Sequence, residues 1–111
     1  MWKQKILNFS QGTKYLMFKE RYHPAVKKDL RKIDRGVREK IKNVWLPKLV
    51  SEPHEGKELT GPLSGIHSYH FKVGKVQYRI TYVLEENDFI INVLMIAKRE
   101  SFYQILSKRI K

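Results

Sequence analysis

The sequence predicts an α+β domain with the element order β-α-α-β-β-β-α. Apolar and polar residues alternate over 69–84, which is the period of a strand buried on one face. Apolar residues recur at helical spacing over 26–49. A nearly unbroken apolar segment at 89–97 is typical of an interior strand. We therefore expect a small, mostly antiparallel four-stranded sheet, packed against an N-terminal helical hairpin and followed by a short C-terminal helix.

The first strand is predicted over residues 14–22, and Pro24 then fits the first turn of a helix. Gly36 is unfavourable within a helix, so we expect a short helix that ends near Asp34 and a second that starts there or just after. The apolar positions of the first helix and of its junction with the second are Val26, Leu30, Ile33 and Val37.

The second helix carries one apolar stripe, and Pro47 predicts a kink or an early end of this helix. Residues 51–65 are rich in glycine and proline, and we expect them to form a loop. Residues 100–110 predict the final helix. The stripe of the second helix consists of Val37, Ile41, Val44, Trp45 and Leu49.

The central hairpin is predicted to close at Gly74-Lys75 and to have two unlike faces. One face is apolar, and the other is polar and basic. Lys98 and Arg99 follow at the end of the third segment, where the chain leaves the sheet. The apolar face contains Tyr69, Phe71, Val73, Val76, Tyr78, Ile80, Tyr82 and Leu84, and the basic face contains His70, Lys72, Gln77 and Arg79.

Composition limits the possible functions. The chain has 111 residues, enough for one domain; we assign residues 17–111 to it and residues 1–16, which show no sustained period, to a leader. Its 23 Lys and Arg against 11 Asp and Glu give a net charge of +12, which attracts nucleic acid or an acidic protein. A merely solvated lysine-rich surface is the alternative. Because no segment is apolar enough for a membrane span or a signal peptide, we expect a cytoplasmic protein.

Few kinds of chemistry remain open to this sequence. The absence of cysteine excludes disulfides, thiol catalysis and cysteine-bound zinc. His67 and His70 form the closest histidine pair, but residues three apart on a strand point to opposite faces, so we expect no metal site and no cofactor. No glycine-rich phosphate loop or nucleophile elbow is present.

The remaining cluster suits RNA cleavage without a metal. That reaction needs a base for the 2′-hydroxyl, fixed cations for the transition-state phosphate and an acid for the leaving 5′-oxygen. A solvated basic face, or a docking site for an acidic partner, is the competing interpretation. The candidate catalytic side chains are His70, Lys72, Arg79, Arg99 and Tyr103.

Several short motifs, in order, carry a resemblance to a known family. They are a Leu-x-Gly loop at 59–61, a strand that ends in the turn glycine Gly74, the sequence Tyr-Arg-Ile-Thr-Tyr at 78–82, and Ala-Lys-Arg at 97–99 followed by Tyr103. In order and spacing, residues 18–108 resemble the RelE/ParE superfamily of toxins from bacterial type II toxin-antitoxin modules.

The resemblance implies an endoribonuclease that cuts mRNA in the ribosomal decoding site, as in the RelE branch. Lys72 matches a general base or charge stabiliser, Arg79 matches the arginine that supports the transition-state phosphate, and Arg99 matches the arginine near the leaving group. Tyr103 matches the tyrosine that stacks on a base or orients the nucleophile. His70 stands where ribosome-dependent members often have a lysine, so the division of roles between His70 and Lys72 stays open.

The resemblance also implies partners, and it leaves two other functions possible. A cognate acidic antitoxin would cover the basic face of a toxin that is monomeric alone. ParE members share the fold but inhibit DNA gyrase without cutting RNA, and a basic module without toxicity is a third possibility. The side chains expected to bind mRNA or ribosomal RNA, with a solvated surface as their alternative, are Lys75, Gln77, Lys98, Lys27, Lys28, Lys32, Arg38 and Lys42.

Overall fold

The computed structural model describes residues 18–110, which form a five-stranded sheet with helices on both faces. The strand order is β1-β5-β4-β3-β2. Among the strands of residues 18–110, β1 runs parallel to its neighbour β5, and the other neighbouring pairs are antiparallel. The strands are β1 (Lys19–Tyr22), β2 (Lys57–Glu58), β3 (His67–Val73), β4 (Val76–Glu85) and β5 (Ile90–Lys98), and the helices are α1 (Val26–Arg31), α2 (Arg35–Lys40), α3 (Leu46–Ser51) and α4 (Phe102–Arg109).

The structure confirms the α+β class but corrects the strand count from four to five. The additional strand β2 lies within the segment predicted to be a loop, and it pairs antiparallel with the start of β3. Two residues are too short to show a period, so no sequence pattern could reveal this strand. The predicted leader, and residues 14–17 of the predicted first strand, lie outside the described residues.

The central hairpin has the predicted turn and register. Gly74 has a φ of 62°, a conformation that glycine adopts without steric cost, and Val73 pairs with Val76 across the turn. Tyr69, Phe71 and the facing residues of β4 are buried against the helical layer. Val76 is an exception, because it lies next to the hairpin turn at the end of the sheet and 40% of its surface is exposed.

Strand β5 is buried on both faces, as its apolar sequence predicts. A β-bulge shifts the register, so that Thr81 pairs with Met95 and Tyr82 with Val93, which leaves Leu94 as the extra residue. The side chains on either side of the bulge divide between two cores. Val93 and Ile96 pack in the core under α1–α3, whereas Met95 and Ala97 pack with α4.

The prediction at Pro47 was a kink or an early end; the helix does not end there, so the early end is wrong. Helix α2 continues into a π-helical turn, Ile41–Trp45, and then into α3. The amide of Leu46 donates to the carbonyl of Ile41, five residues back, and Pro47 follows directly after this wider turn. This wider turn also changes which side chains face the sheet: Val44, predicted to be buried, is 49% exposed, and Leu46 is buried instead.

A buried ion pair joins the two helical layers across the sheet. Arg109, at the end of α4, donates to both carboxylate oxygens of Asp29 in α1, at 2.6 and 3.0 Å. Arg109 also donates to the carbonyl of Leu94, and Asp29 also accepts from the amide of Ile96 at 3.1 Å. All these bonds surround the bulge of β5, so a single pair of side chains fixes α1, α4 and β5 together.

Removal of the Asp29 carboxylate should therefore strongly destabilise the fold. We expect Asp29→Ala to lower the free energy of unfolding by about 3 kcal/mol, because it leaves a buried guanidinium and the amide of Ile96 unpaired. Asp29→Asn retains an oxygen acceptor and should cost less. Urea denaturation of the three proteins measures the difference, and equal midpoints for Asp29→Ala and the wild type would contradict this role of the pair.

Within residues 18–110, no helix has both the length and the apolar character that a membrane crossing requires.

Candidate functional site

The predicted basic face contributes to two neighbouring clefts, the first on the side of the sheet opposite α1–α3 and the second at the end of the sheet. The first cleft has a volume of about 540 Å³ and lies between the 57–63 segment and three candidate side chains, His70, Arg79 and Tyr103. The second cleft, of about 530 Å³, lies at the end of β5. The second cleft is lined by Lys75, Val76, Gln77, Lys98, Arg99 and Glu100. We call the two together the basic clefts.

The register of β3 and β4 brings the cationic side chains together. His70 pairs with Arg79, and Lys72 pairs with Gln77, so the four side chains lie on one face in two adjacent rows. Lys72 is exposed beside Gln77 but does not line either cleft. His70 is therefore more central to the site than Lys72.

The aromatic ring of Phe102 packs against the guanidinium of Arg79. The guanidinium carbon lies 4.5 Å from the centre of the Phe102 ring, and Phe102 itself is fully buried. The quadrupole of the aromatic ring attracts a cation over its face, so the contact favours one orientation of Arg79. The neighbouring Tyr103 ring packs edge-on against Phe102, at 4.7 Å between centroids, and is 63% exposed. Its open face is available for stacking on a base.

Gln77 connects the second cleft to the sheet. Its side-chain oxygen accepts a hydrogen bond of 3.3 Å from the Arg99 guanidinium. Arg99 begins a 3₁₀ turn directly after β5, so its backbone position is fixed by the end of that strand. The bond aims Arg99 back toward β4, where Arg79 lies two residues further along the chain from Gln77.

The surroundings of His70 lower its pKa below the usual 6.5. Partial burial of the ring is the largest cause, and the positive charges of Arg79, Arg99 and Lys57 add to it. All these effects disfavour the imidazolium form. At neutral pH, His70 is therefore a neutral side chain that can accept a proton while surrounded by fixed cations.

The basic side chains of the helical layer are not brought to the clefts, because α1–α3 cover the opposite face of the sheet. Lys32 is closest to the site: it lines a depression of about 240 Å³ that also includes Lys98 and Glu100. The other members of this predicted set are exposed, apart from the half-buried Arg38. They are Lys27, Lys28, Arg38 and Lys42.

The arrangement contains no grouping typical of a metal centre. Within residues 18–110, no three His, Asp or Glu side chains lie close enough together to hold a metal ion. His67 and His70 point to opposite faces, and the His67 ring stacks on Tyr82 at 5.3 Å in the core layer.

Comparison with protein-family models identifies the family. Residues 21–107 match the model described as ParE-like toxin of type II bacterial toxin-antitoxin system. The chain belongs to this family. It is thus a toxin of the type II class, as the resemblance in its motifs implies. No curated protein sequence matches the chain.

Solved structures of RelE toxins share the fold of this toxin. The Mycobacterium tuberculosis toxin-antitoxin complex RelBE2 contains a chain with 23% identity and a TM-score of 0.64, and the match covers 75% of this chain and 99% of that one. A mutant of Escherichia coli toxin RelE in the free state has 19% identity and a TM-score of 0.64, with 85% and 95% covered. The archaeal RelE-RelB complex from Pyrococcus horikoshii has 21% identity and a TM-score of 0.54, with 75% and 96% covered. At these identities the likeness concerns the fold.

The sequence left two residues of this toxin's site unassigned. Phe102 was predicted only as part of the final helix, and its position under Arg79 depends on how α4 packs on the sheet. Lys57 lies in the segment predicted to be a loop, and its place beside His70 depends on β2. Neither position has a local sequence signal, because both contacts join residues that are distant in the chain.

The pKa of His70 provides a direct test of the site's electrostatics. We expect Arg79→Gln to raise the pKa of His70, because the substitution removes a positive charge that opposes protonation while Arg99 and Lys57 remain. A pH titration of the imidazole Cε1–H signal by NMR measures the shift. Arg21→Gln, at the far edge of the sheet, should leave the midpoint unchanged, and an unchanged midpoint in Arg79→Gln would contradict the assigned geometry.

Proposed function

We propose that this toxin is a metal-independent endoribonuclease that cuts mRNA in the decoding site of the ribosome, in the cytoplasm, and so inhibits translation. One observation supports the proposal above the others. His70 and Arg79, from adjacent strands, line a cleft next to an exposed tyrosine ring, and Arg99 lies in the adjoining cleft. A surface that only attracts polyanions does not require a neutral imidazole held among fixed cations.

Each residue of the site has its own role in the proposed cleavage of RNA. His70 takes the proton of the ribose 2′-hydroxyl, whose oxygen then attacks the adjacent phosphorus and forms a 2′,3′-cyclic phosphate. Arg79, held over Phe102, stabilises the charge of the pentacoordinate phosphorane, and Lys72 adds a second positive charge at the rim. The bond to the 5′-oxygen breaks; Arg99 stabilises the developing negative charge, and water supplies the proton. The Tyr103 ring stacks on a base and orients the strand.

The ribosome supplies the remaining contacts in this proposal. The exposed lysines of α1 and α2 and of the π-helical turn lie on the opposite face from the clefts, so they can contact ribosomal RNA while the clefts hold mRNA. Phosphate contacts of this kind release counterions, and binding should weaken steeply with salt.

The toxin's proposed second partner is an acidic antitoxin. The RelE structures from M. tuberculosis and P. horikoshii are complexes with RelB. A net charge of +12 favours an acidic partner that covers the basic clefts, since opposite charges accelerate association and select the partner. We expect the toxin to be monomeric when it is not bound to the antitoxin.

Substitution at the clefts should strongly slow mRNA cleavage and leave the fold intact. We expect Arg79→Ala and Arg99→Ala each to reduce the rate at least about 10²-fold, the usual effect of removing one stabilising donor from a preorganised site. Tyr103→Phe keeps the stacking ring but removes the hydroxyl group and its contacts, and we expect this variant to lose toxicity as well. Primer extension on a defined mRNA, after brief induction and with purified ribosomes, locates and quantifies the cuts.

Matched controls separate the possible outcomes. Arg21→Ala makes the same change at the opposite edge of the sheet and should cleave like the wild type. Circular dichroism and thermal melting of all variants verify that they fold. Cuts within codons that require ribosomes support the proposal, whereas growth arrest with intact mRNA and damaged DNA would instead identify a gyrase inhibitor. Overproduction without growth arrest would indicate a module that is not toxic.

A further inference from the structure

We propose that Lys57, on the short strand β2, is a further RNA-binding residue of this site and holds the phosphate next to the one that is cut. The inference rests on the proposed function, because it assigns a second contact to the same RNA strand. Three observations support it: the rigid attachment of β2, the side of the sheet on which Lys57 lies, and a row of basic side chains across four strands.

The chain before Lys57 is anchored to a buried tyrosine. The amide of Gly56 donates to the Tyr82 hydroxyl at 3.0 Å, and that hydroxyl donates to the carbonyl of Pro53 at 2.7 Å. Burial raises the pKa of Tyr82 to about 12, so the hydroxyl keeps its proton and serves both bonds. A Cβ atom at position 56 would lie 2.1 Å from the hydroxyl oxygen, so only glycine fits there.

The chain after Lys57 is anchored as well. The Glu58 carboxylate accepts from the amide of Gly65 at 3.0 Å, and the amide of Leu59 donates to the carbonyl of Ile66 at 2.8 Å. The backbone of Lys57 is therefore fixed on both sides, although its side chain is exposed. A residue in a mobile surface loop would not have these constraints.

The strand pairing places Lys57 on the same face as the candidate catalytic side chains. Lys57 pairs with Ser68 of β3, and alternate residues of a strand share a face, so Lys57 and His70 are diagonal neighbours. Lys57 lines the first cleft together with His70, Arg79 and Tyr103. Within residues 18–110, the ion pairs are His54–Glu86 and Arg109–Asp29, so the Lys57 ammonium has no carboxylate partner there.

Four strands together present one row of basic side chains, three of them charged and His70 neutral at neutral pH. Lys57 comes from β2, His70 from β3, Arg79 from β4, and Arg99 from the end of β5. Neighbouring strands lie about 4.8 Å apart, so the row spans about 14 Å perpendicular to the strands. It runs diagonally, because Lys57 pairs with Ser68, two residues before His70, and Arg79 pairs with Ala97, two residues before Arg99. An extended RNA strand whose scissile phosphate lies between Arg79 and Arg99 would bring an adjacent phosphate toward Lys57, which binds it as a charge-assisted contact.

Single-turnover cleavage of a short synthetic mRNA bound to ribosomes tests the assignment. We expect Lys57→Ala to cleave about tenfold more slowly than the wild type at subsaturating toxin, the usual effect of losing one charged hydrogen bond. Lys57→Arg should restore most of the rate. Lys19→Ala removes the same charge at the other edge of the sheet and should have no effect. Circular dichroism and thermal melting verify that the variants fold.

A neutral linkage in the mRNA identifies the phosphate that Lys57 contacts. Methylphosphonates are placed singly at the linkages on either side of the scissile phosphate. One of the two should slow the wild type about tenfold and have no further effect on Lys57→Ala, because the same contact is already lost. Additive effects at both positions would overturn the proposal, as would a Lys57→Ala rate equal to that of Lys19→Ala. If the wild type itself makes no cut, the proposed nuclease function fails, whereas a cutting wild type with an unaffected Lys57→Ala refutes only the role of Lys57.

Discussion

The register of β3 against β4 is the constraint on which the rest of the structure depends. Because side chains alternate between the faces of a strand, this register places Tyr69 and Phe71 under the helices and His70 beside Arg79 on the open face. A slip of one residue would bury an imidazole and a guanidinium and expose an aromatic core. The hydrophobic burial that fixes this register therefore also places His70 beside Arg79. Little further structure is needed to bring these two side chains together.

The bulge at Leu94 extends this arrangement to both sides of the sheet. It rotates β5 so that Ile96 faces the helical layer and Ala97 faces α4, and each core obtains its own apolar residues from one strand. Asp29 and Arg109 bond to the backbone around this bulge as well as to each other. Helix α4 carries both Phe102 and Tyr103. The bonds between Asp29 and Arg109, which fix α4 to the sheet, therefore also help to position these two rings beside the first cleft.

The charge distribution of this toxin favours function over stability. The cations of the basic clefts repel one another, which costs folding free energy. Burial of the His70 ring, and after it these charges, lower the pKa of His70. Such strain is common at sites that bind a polyanion or an acidic protein, where the partner supplies the missing charge. The proposed antitoxin and the proposed RNA substrate would then relieve the same repulsion, so their binding to the clefts would be mutually exclusive.

The sequence by itself determined the α+β class, the central hairpin with its two unlike faces, and the candidate side chains His70 and Arg79. These follow from local periods of two and 3.6 residues, which record which face of an element is buried. Tertiary structure decided the rest. Strand β2 is too short to show a period, and no sequence pattern predicted the π-helical turn before Pro47. The positions of Lys57 and Phe102 depend on contacts between distant segments. These contacts join segments that are far apart in the chain, so no local pattern in the sequence predicts them.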